Sequence, residues 1–489
     1  MTFDRLQSAA MTGMRGNYIS GAWVRPTEGR VVRSVDPSTP DTIVAEALSD
    51  PSHAERAADA ADAAQRSWYE RTLDDRYRAL LRFADALDAR VEEIADAMTS
   101  EMGKLIDEAR TEVRSLPARI RGAEAGMLKT LRPTPVPNAN AELRYHPLGV
   151  VAVLGPFNFP LHLLHAHVVP ALLAGNAVVL KPSERTLLTA QRYVEAWDAA
   201  DLPPVLNMVQ GDGEVGAALV DASAVRGVVF TGSWHVGHAI QSATLSRPEV
   251  LVALEMGGQN MAYIAPDADL DLCIEGLVTG AFLTTGQRCT CTCRALVHRD
   301  IAEALLDRLI PRVAELTWGD PRSDVFMGPL ASHHDRDRVD ALCQRAVDAG
   351  ATVLLPGERR EGGAFRGPSI HQISADHDSD YTREEIFGPD LAITIVDDQD
   401  AACRVINASP FGLSLAVFSA SRDTLDAVYR ATRAGCVNWN RSTSRATGAL
   451  PFGGVGRSGN YRPAGADAFR NVTYPVQLQW TTPTGGDHD

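Results

Sequence analysis

Gly149-Val-Val-Ala-Val-Leu154 runs without a break into Gly155-Pro-Phe-Asn-Phe-Pro160. The first stretch is apolar and β-branched, the pattern of a strand buried on both faces. The second holds glycine, two prolines and one amide, residue types that end a strand and leave backbone open to a ligand. Downstream, Leu161 to Ala174 reads as helix, Ala177-Val-Val-Leu180 as a second buried strand and Leu187 to Ala200 as helix. Val205-Leu-Asn-Met-Val209 and Gly227-Val-Val-Phe230 are further strands. Buried strands alternating with helices define a parallel, doubly wound sheet. The same style returns from Ala262 to Asp397, with strands expected at Ala262 to Ile264, Ala295 to His298 and Leu391 to Val396, so a second α/β domain is expected. Upstream, three prolines in Arg132-Pro-Thr-Pro-Val-Pro-Asn138 exclude helix and predict an extended excursion. Residues 53–115, rich in Ala, Glu, Asp and Arg, predict two or three long helices, and the tail Asn471 to Trp480 alternates as a strand.

The chain has 489 residues, more than one hydrophobic core usually serves. Its net charge of −15 argues against broad nucleic-acid binding and against an anionic membrane surface. A local cluster of arginines can still receive an anionic small molecule. No apolar run is long enough to cross a bilayer, and Met1 to Gly16 lacks the apolar core of a secretory leader. Seven cysteines, an odd number thinly spread, do not read as a disulfide framework; a reducing cytoplasm is expected.

Ligands of a parallel sheet bind at the carboxyl ends of its strands. There the sequence places Gly155 to Pro160, Lys181-Pro-Ser-Glu184 and Thr231-Gly-Ser-Trp-His-Val-Gly237. Each alone is an ordinary turn; in this order they fit a dinucleotide. Lys181 and Glu184 suit ribose hydroxyls, and the carboxylate of Glu184 repels a 2′-phosphate, favouring NAD over NADP. Ser233, after Gly232, opens a helix whose N–H groups favour phosphate, a role compatible with plain N-capping. Cys289 lies in Gly286-Gln-Arg-Cys-Thr-Cys-Thr-Cys293. Structural zinc sites prefer two Cys-x-x-Cys pairs and no second cluster exists, so no metal is expected. The three sulfurs at period two also fit one face of a strand, and a buried inert thiol is the commonest fate of cysteine. A thiolate nucleophile needs a base. Glu255, in Leu254-Glu-Met-Gly-Gly-Gln-Asn260, is the candidate, although sequence separation does not show that it reaches Cys289. Cys291, two residues on, is a candidate partner in an oxidised, inactive state.

Taken together, Gly155 to Pro160, Lys181 to Glu184, Phe230-Thr-Gly-Ser233, Leu254-Glu-Met-Gly-Gly258, Gly286-Gln-Arg-Cys289, Glu384-Glu-Ile-Phe-Gly-Pro389 and Pro451-Phe-Gly-Gly454 resemble the aldehyde dehydrogenase superfamily, in its order and across nearly the whole chain. The resemblance implies Cys289 as nucleophile, and Asn158 with the Cys289 backbone N–H as oxyanion hole. It implies Glu255 as the base that activates water, and Glu385 with Phe387 at the nicotinamide ribose. Lys181, Glu184, Gly232 and Ser233 keep their cofactor roles, and NAD is the cofactor. It further implies an aldehyde dehydrogenase-like α/β fold of two doubly wound domains plus a small oligomerisation sheet. The NAD-binding domain would take 1–120 and 143–256, the catalytic domain 257–457 and the oligomerisation segment 121–142 and 458–489, in a homodimer or homotetramer.

Leu254 to Gly258, Gly286 to Cys291, Val437-Asn-Trp-Asn440, Gly459-Asn-Tyr-Arg-Pro463 and the run from His165 through His167 to Asn176 look like the branch of that superfamily that oxidises N-succinylglutamate 5-semialdehyde in bacterial arginine catabolism. That branch carries a Lys-Pro-Leu-Thr-Gly-like segment where this chain has Arg441-Ser-Thr-Ser-Arg445, in a loop expected to line the substrate mouth. An anionic semialdehyde is the expected substrate. Arginine is the best bidentate partner for its acid group, and Arg119, Arg288, Arg441 and Arg445 are the candidates, against surface or interdomain ion pairing. A different anionic aldehyde, a phosphonate included, is the alternative within the class. Capture of the acyl group by phosphate or coenzyme A is disfavoured by Glu255. A non-catalytic binding homologue would need a lost catalytic residue, and a cofactor-free thiol esterase would not bind NAD tightly.

Overall fold

In a computed structural model, which describes residues 13–123 and 126–481, Val150–Leu154 is a strand buried at every position, in the middle of a seven-stranded sheet. The expectations placed on residues 1–12, 124–125 and 482–489 lie outside the described residues. The strand order is Leu251–Met256, Val225–Gly232, Val150–Leu154, Ala177–Lys181, Leu206–Met208, Asn17–Ile19 and Ala22–Val24. The first five run parallel, and the two N-terminal strands close the edge antiparallel. The register sets Leu154 beside Lys181 and Phe230, and Thr231 beside Glu255. The strands therefore end abreast, and the segments that follow them share one crevice.

A second seven-stranded sheet has the order Thr352–Leu355, Ser369–Gln372, Asp390–Val396, Thr292–His298, Asn260–Ile264, Ser414–Phe418 and Cys436–Trp439. It is parallel apart from the first pair. It extends past Asp397, where the apolar pattern expected it to end. Each sheet has its own buried cores, built from Val, Leu, Ile and Ala of both strands and covering helices.

Residues 53–115 form parts of four helices, not two or three: Ser52–Tyr69, Leu73–Asp88, Val91–Met102 and Ile106–Gly122. The breaks have local causes. Thr72 caps the second helix by accepting from the Asp75 N–H, and Gly103, at φ +69°, ends the third in the left-handed region.

The proline-rich excursion follows a short helix, Met127–Leu131. Thr134–Pro135 and Ala141–Pro147 form a hairpin that turns at Asn138, whose φ of +60° suits asparagine. The strand runs on to Pro147, beyond the expected segment end at 142. Thr473–Gln479 pairs with it antiparallel along its whole length. This small sheet leaves Val136, Tyr474, Leu478 and Trp480 exposed nearby. No described helix is long and apolar enough to cross a membrane.

Candidate active site

The loop Gly155 to Pro160 delivers Asn158, Ala177–Lys181 ends on Lys181 with Glu184 just beyond, and Val225–Gly232 ends on Gly232. Ser233 caps the helix Trp234–Ala243, its hydroxyl accepting from the Val236 N–H at 3.4 Å. These residues open on one cleft of about 970 Å³. Asn158, Lys181, Glu184, Gly232, Ser233, Cys289, Glu385 and Phe387 all line it. Nearly every candidate for cofactor and chemistry is therefore gathered into one place.

The cleft fits a dinucleotide. A capped helix N-terminus presents free N–H groups for phosphate. Lys181 Nζ and Glu184 Oε2 stand 3.7 Å apart for a ribose. Burial depresses the Lys181 ammonium, with Glu184 partly opposing it. At the other end, Phe387 meets Phe157 edge to face, with ring centroids 5.8 Å apart. Glu385 accepts from the Gly258 N–H at 3.2 Å, and burial pushes its carboxyl up to about 7. A Cβ on Gly257 would lie 2.0 Å from Glu385 Oε2, so a larger residue there would push the carboxylate aside.

Cys289 is partly exposed, in the turn between the 3-10 segment Leu283–Gly286 and the strand Thr292–His298. Thr284 and Thr285 both sit at φ +56°, costly for β-branched residues. They are held there by Thr284 Oγ1 donating to Glu108 at 2.8 Å and Thr285 Oγ1 donating to Gly328 O at 3.1 Å. Asn260 holds the other side, Nδ2 donating to Cys289 O at 2.8 Å and to Cys291 O at 2.9 Å. Of the three sulfurs, only Cys293 lies on the strand, at a shift of register where Asn260 pairs with Thr292 and Met261 with Arg294. A common strand face for all three is thus corrected: the clamp by Asn260 bends the chain before the strand begins.

Asn158 Nδ2 donates to Gln287 O at 2.9 Å, which places its amide against the Cys289 turn with a second N–H to spare. Its own carbonyl accepts from Lys104 Nζ at 2.7 Å. Lys104 is paired with Glu112, fully buried, and Glu112 also accepts from the N–H groups of Leu161 at 3.1 Å and His162 at 3.0 Å. Sequence reasoning missed Lys104, Glu112 and Asn260 as supports of the site. Lys104→Met leaves Glu112 as a buried unpaired charge, and is expected to lower stability by about 3–5 kcal/mol, measured by denaturant unfolding.

Glu255 ends its strand 4 % exposed, and neither carboxylate oxygen has a partner among the described residues. A Cβ on Gly453 would stand 3.2 Å from Oε2, so a glycine keeps room beside the carboxylate. Burial raises the Glu255 carboxyl well above the usual range. Burial first, then the charges of Glu255 and Glu385, raise the Cys289 thiol. Cys289 lines the cleft and Glu255 does not, but the Glu255 charge reaches the thiol, and a raised acid near a raised thiol marks a reaction centre.

The four arginines separate. Arg288 pairs with Glu108 at 3.3 Å and lies over the Phe159 ring at 5.2 Å, so the protein itself employs it. Arg441 and Arg445 are exposed. Arg119 is half-buried, and its Nε has no partner. Elsewhere, Cys343, His371 and Asp390 bring metal-ligand atoms within 4.8 Å, but the Arg366 guanidinium reaches Cys343 Sγ at 3.4 Å and fills the trio with positive charge.

A dinucleotide crevice that ends on a thiol and a partnerless carboxylate defines an oxidoreductase. Residues 23–477 match the aldehyde dehydrogenase family, and the chain belongs to that family. It is an aldehyde-oxidising enzyme that uses a nicotinamide adenine dinucleotide. N-succinylglutamate 5-semialdehyde dehydrogenase 1 of Caulobacter vibrioides is 40 % identical over 454 residues, 91 % of this chain and 95 % of that protein. Among solved structures, NADP-dependent glyceraldehyde-3-phosphate dehydrogenase from Bacillus halodurans, complexed with NADP, is 28 % identical with a TM-score of 0.89, over 95 % of this chain and 99 % of the other. The 1-pyrroline-5-carboxylate dehydrogenase from Thermus with bound NAD is 30 % identical with a TM-score of 0.87, over 95 % and 93 %.

Proposed function

We propose that the enzyme oxidises an anionic semialdehyde to the acid through a thioester on Cys289, with N-succinylglutamate 5-semialdehyde as first candidate. The observation that carries this reading is the meeting of the Cys289 turn and the Asn158 amide at the end of the dinucleotide cleft, with the buried, partnerless Glu255 carboxylate close enough for its charge to act on the thiol. The substrate is inferred from the 40 % identity to the Caulobacter enzyme.

Cys289 Sγ attacks the carbonyl carbon. The spare N–H of Asn158 and the Cys289 backbone N–H receive the developing oxyanion, worth about 3–4 kcal/mol each in comparable sites. Bound NAD supplies the hydride acceptor. Glu255 then takes a proton from water, whose oxygen attacks the thioester and frees the thiol. Lys181, Glu184, Gly232 and Ser233 hold the adenosine and phosphates, and Glu385 and Phe387 hold the nicotinamide end. Of the described residues, 13–120 and 148–256 form the NAD-binding part and 257–457 the catalytic part, with 143–147 belonging to the small sheet. The small sheet, with its exposed Tyr474, Leu478 and Trp480, is the surface for a homodimer or homotetramer.

A panel of semialdehydes (N-succinylglutamate, succinate, glutamate and phosphonate members), ranked by kcat/KM, tests the reading; best turnover of an uncharged aldehyde contradicts it. Glu184→Gln removes the charge that repels a 2′-phosphate. The ratio of kcat/KM for NADP over NAD is expected to rise by about tenfold, read from initial rates with each cofactor.

A further inference from the structure

Most arginines of this chain with a buried guanidinium are satisfied by the protein. Arg76 donates to the carbonyls of Tyr69, Arg71 and Leu173. Arg294 donates to Thr394 and Ser374, and Arg366 to Asp340 and two carbonyls. Arg119 differs. Its Nε is buried without a partner, the one such guanidinium nitrogen among the described residues. No acid stands against it. Its neighbours across the helix interface are the histidines of His162–Ala174, and burial followed by the Arg119 charge holds His165 and His167 neutral, at about 3. His167 Nδ1 is likewise buried and unpaired. Leaving a cation half-buried among neutral groups is costly unless an anion arrives to meet it.

Its place is the aldehyde side of the site. Arg119 lies one helical turn beyond Ser115, whose hydroxyl contacts His162 at 3.1 Å, and His162 opens the helix four residues after Asn158. From the other side comes the loop after Asn440. A Cβ on Gly448 would stand 3.2 Å from Arg119 Nη1. The same loop is tied to the nucleophile turn, Thr443 Oγ1 donating to Thr290 O at 2.7 Å, one residue past Cys289. The guanidinium thus stands between the helix that follows Asn158 and the loop that touches the Cys289 turn. It is absent from the lining of the dinucleotide cleft.

We propose that Arg119 is the anchor for the far acid group of the aldehyde substrate, and that it, rather than Arg288, Arg441 or Arg445, sets the preference for anionic aldehydes. This deepens the proposed function and rests on it. Guanidinium and carboxylate pair as two parallel N–H···O bonds, a geometry an ammonium does not reproduce.

The test compares wild type, Arg119→Ala and Arg119→Lys on two substrates: N-succinylglutamate 5-semialdehyde and an uncharged aliphatic aldehyde. For Arg119→Ala, KM for the anionic substrate is expected to rise by about ten- to a hundredfold, with kcat and the uncharged aldehyde little changed. Arg119→Lys is expected to recover part of the loss. Calorimetric titration with the product diacid, N-succinylglutamate, reads the same site without turnover: wild type binds, and Arg119→Ala binds at least about tenfold more weakly. Equal losses on both substrates, unchanged diacid binding, or a changed oligomeric size on gel filtration would each overturn the anchor. Wild type that turns over the uncharged aldehyde but neither oxidises the anionic one nor binds the diacid overturns the semialdehyde reading itself.

Discussion

Cys289→Ala is expected to lower aldehyde oxidation by at least about a thousandfold, with NAD binding and fold intact. The thiol is the partly exposed one in the turn that Asn158, Asn260 and the left-handed Thr284 and Thr285 together shape. Alanine removes only the sulfur, and no described hydrogen bond of the turn depends on Sγ of Cys289. Cys291 and Cys293 are buried and absent from the cleft lining, whereas Cys289 is partly exposed and lines it, so neither substitutes for it. NADH formation under saturating substrate checks the loss, and dye-monitored melting checks the fold. Activity retained at a tenth of wild type or more would contradict the assignment.

Glu255→Gln separates the two halves of the reaction. The amide is nearly the same shape, so the thiol should still form its acyl adduct and release about one equivalent of NADH per site, after which turnover falls by about a hundred- to ten-thousandfold. The pH dependence carries a sign. Burial raises the Glu255 carboxyl well above its ordinary value, and only the ionised form accepts a proton. Hydrolysis by wild type therefore rises with pH, through a range above that of a free carboxylate, as that group ionises. The burst rises with pH as well, because burial raises the Cys289 thiol and the thiolate is the attacking form. In Glu255→Gln the burst should keep a pH limb, moved to lower pH because the Glu255 charge no longer raises the thiol, while the slow phase loses the limb that Glu255 provides. Stopped-flow measurement of both phases from pH 6 to 10 distinguishes them; an unaltered steady state would contradict the role of the carboxylate.

The parallel sheet around Val150–Leu154 was legible because a strand buried on both faces must be apolar throughout. Its register then made the strand ends, from Asn158 to Glu255, legible as one crevice. Strands that break this rule were not. Cys436–Trp439 is half-buried and carries Asn438, and Ser414–Phe418, though buried throughout, opens on a serine behind Ser409-Pro-Phe-Gly412, whose residues signal a turn. The supports of the site were hidden for another reason. Lys104 meets Asn158 from 54 positions away, and Thr284 meets Glu108 from 176. No local pattern in either segment announces its partner. Asn260 was visible only as the end of a glycine-rich stretch; its two bonds to the Cys289 turn exist because its strand lies beside Thr292–His298 in the second sheet. The four arginines were equivalent as letters, and burial and pairing separate them.

The central claim is a thioester on Cys289, and its most direct measurement is peptide mass spectrometry of Glu255→Gln after incubation with NAD and N-succinylglutamate 5-semialdehyde. The predicted result is the peptide spanning Cys289 heavier by the acyl group, formed in step with the NADH burst and absent without NAD. An unmodified Cys289 peptide accompanied by NADH release, or an adduct on Cys291 or Cys436, would contradict it.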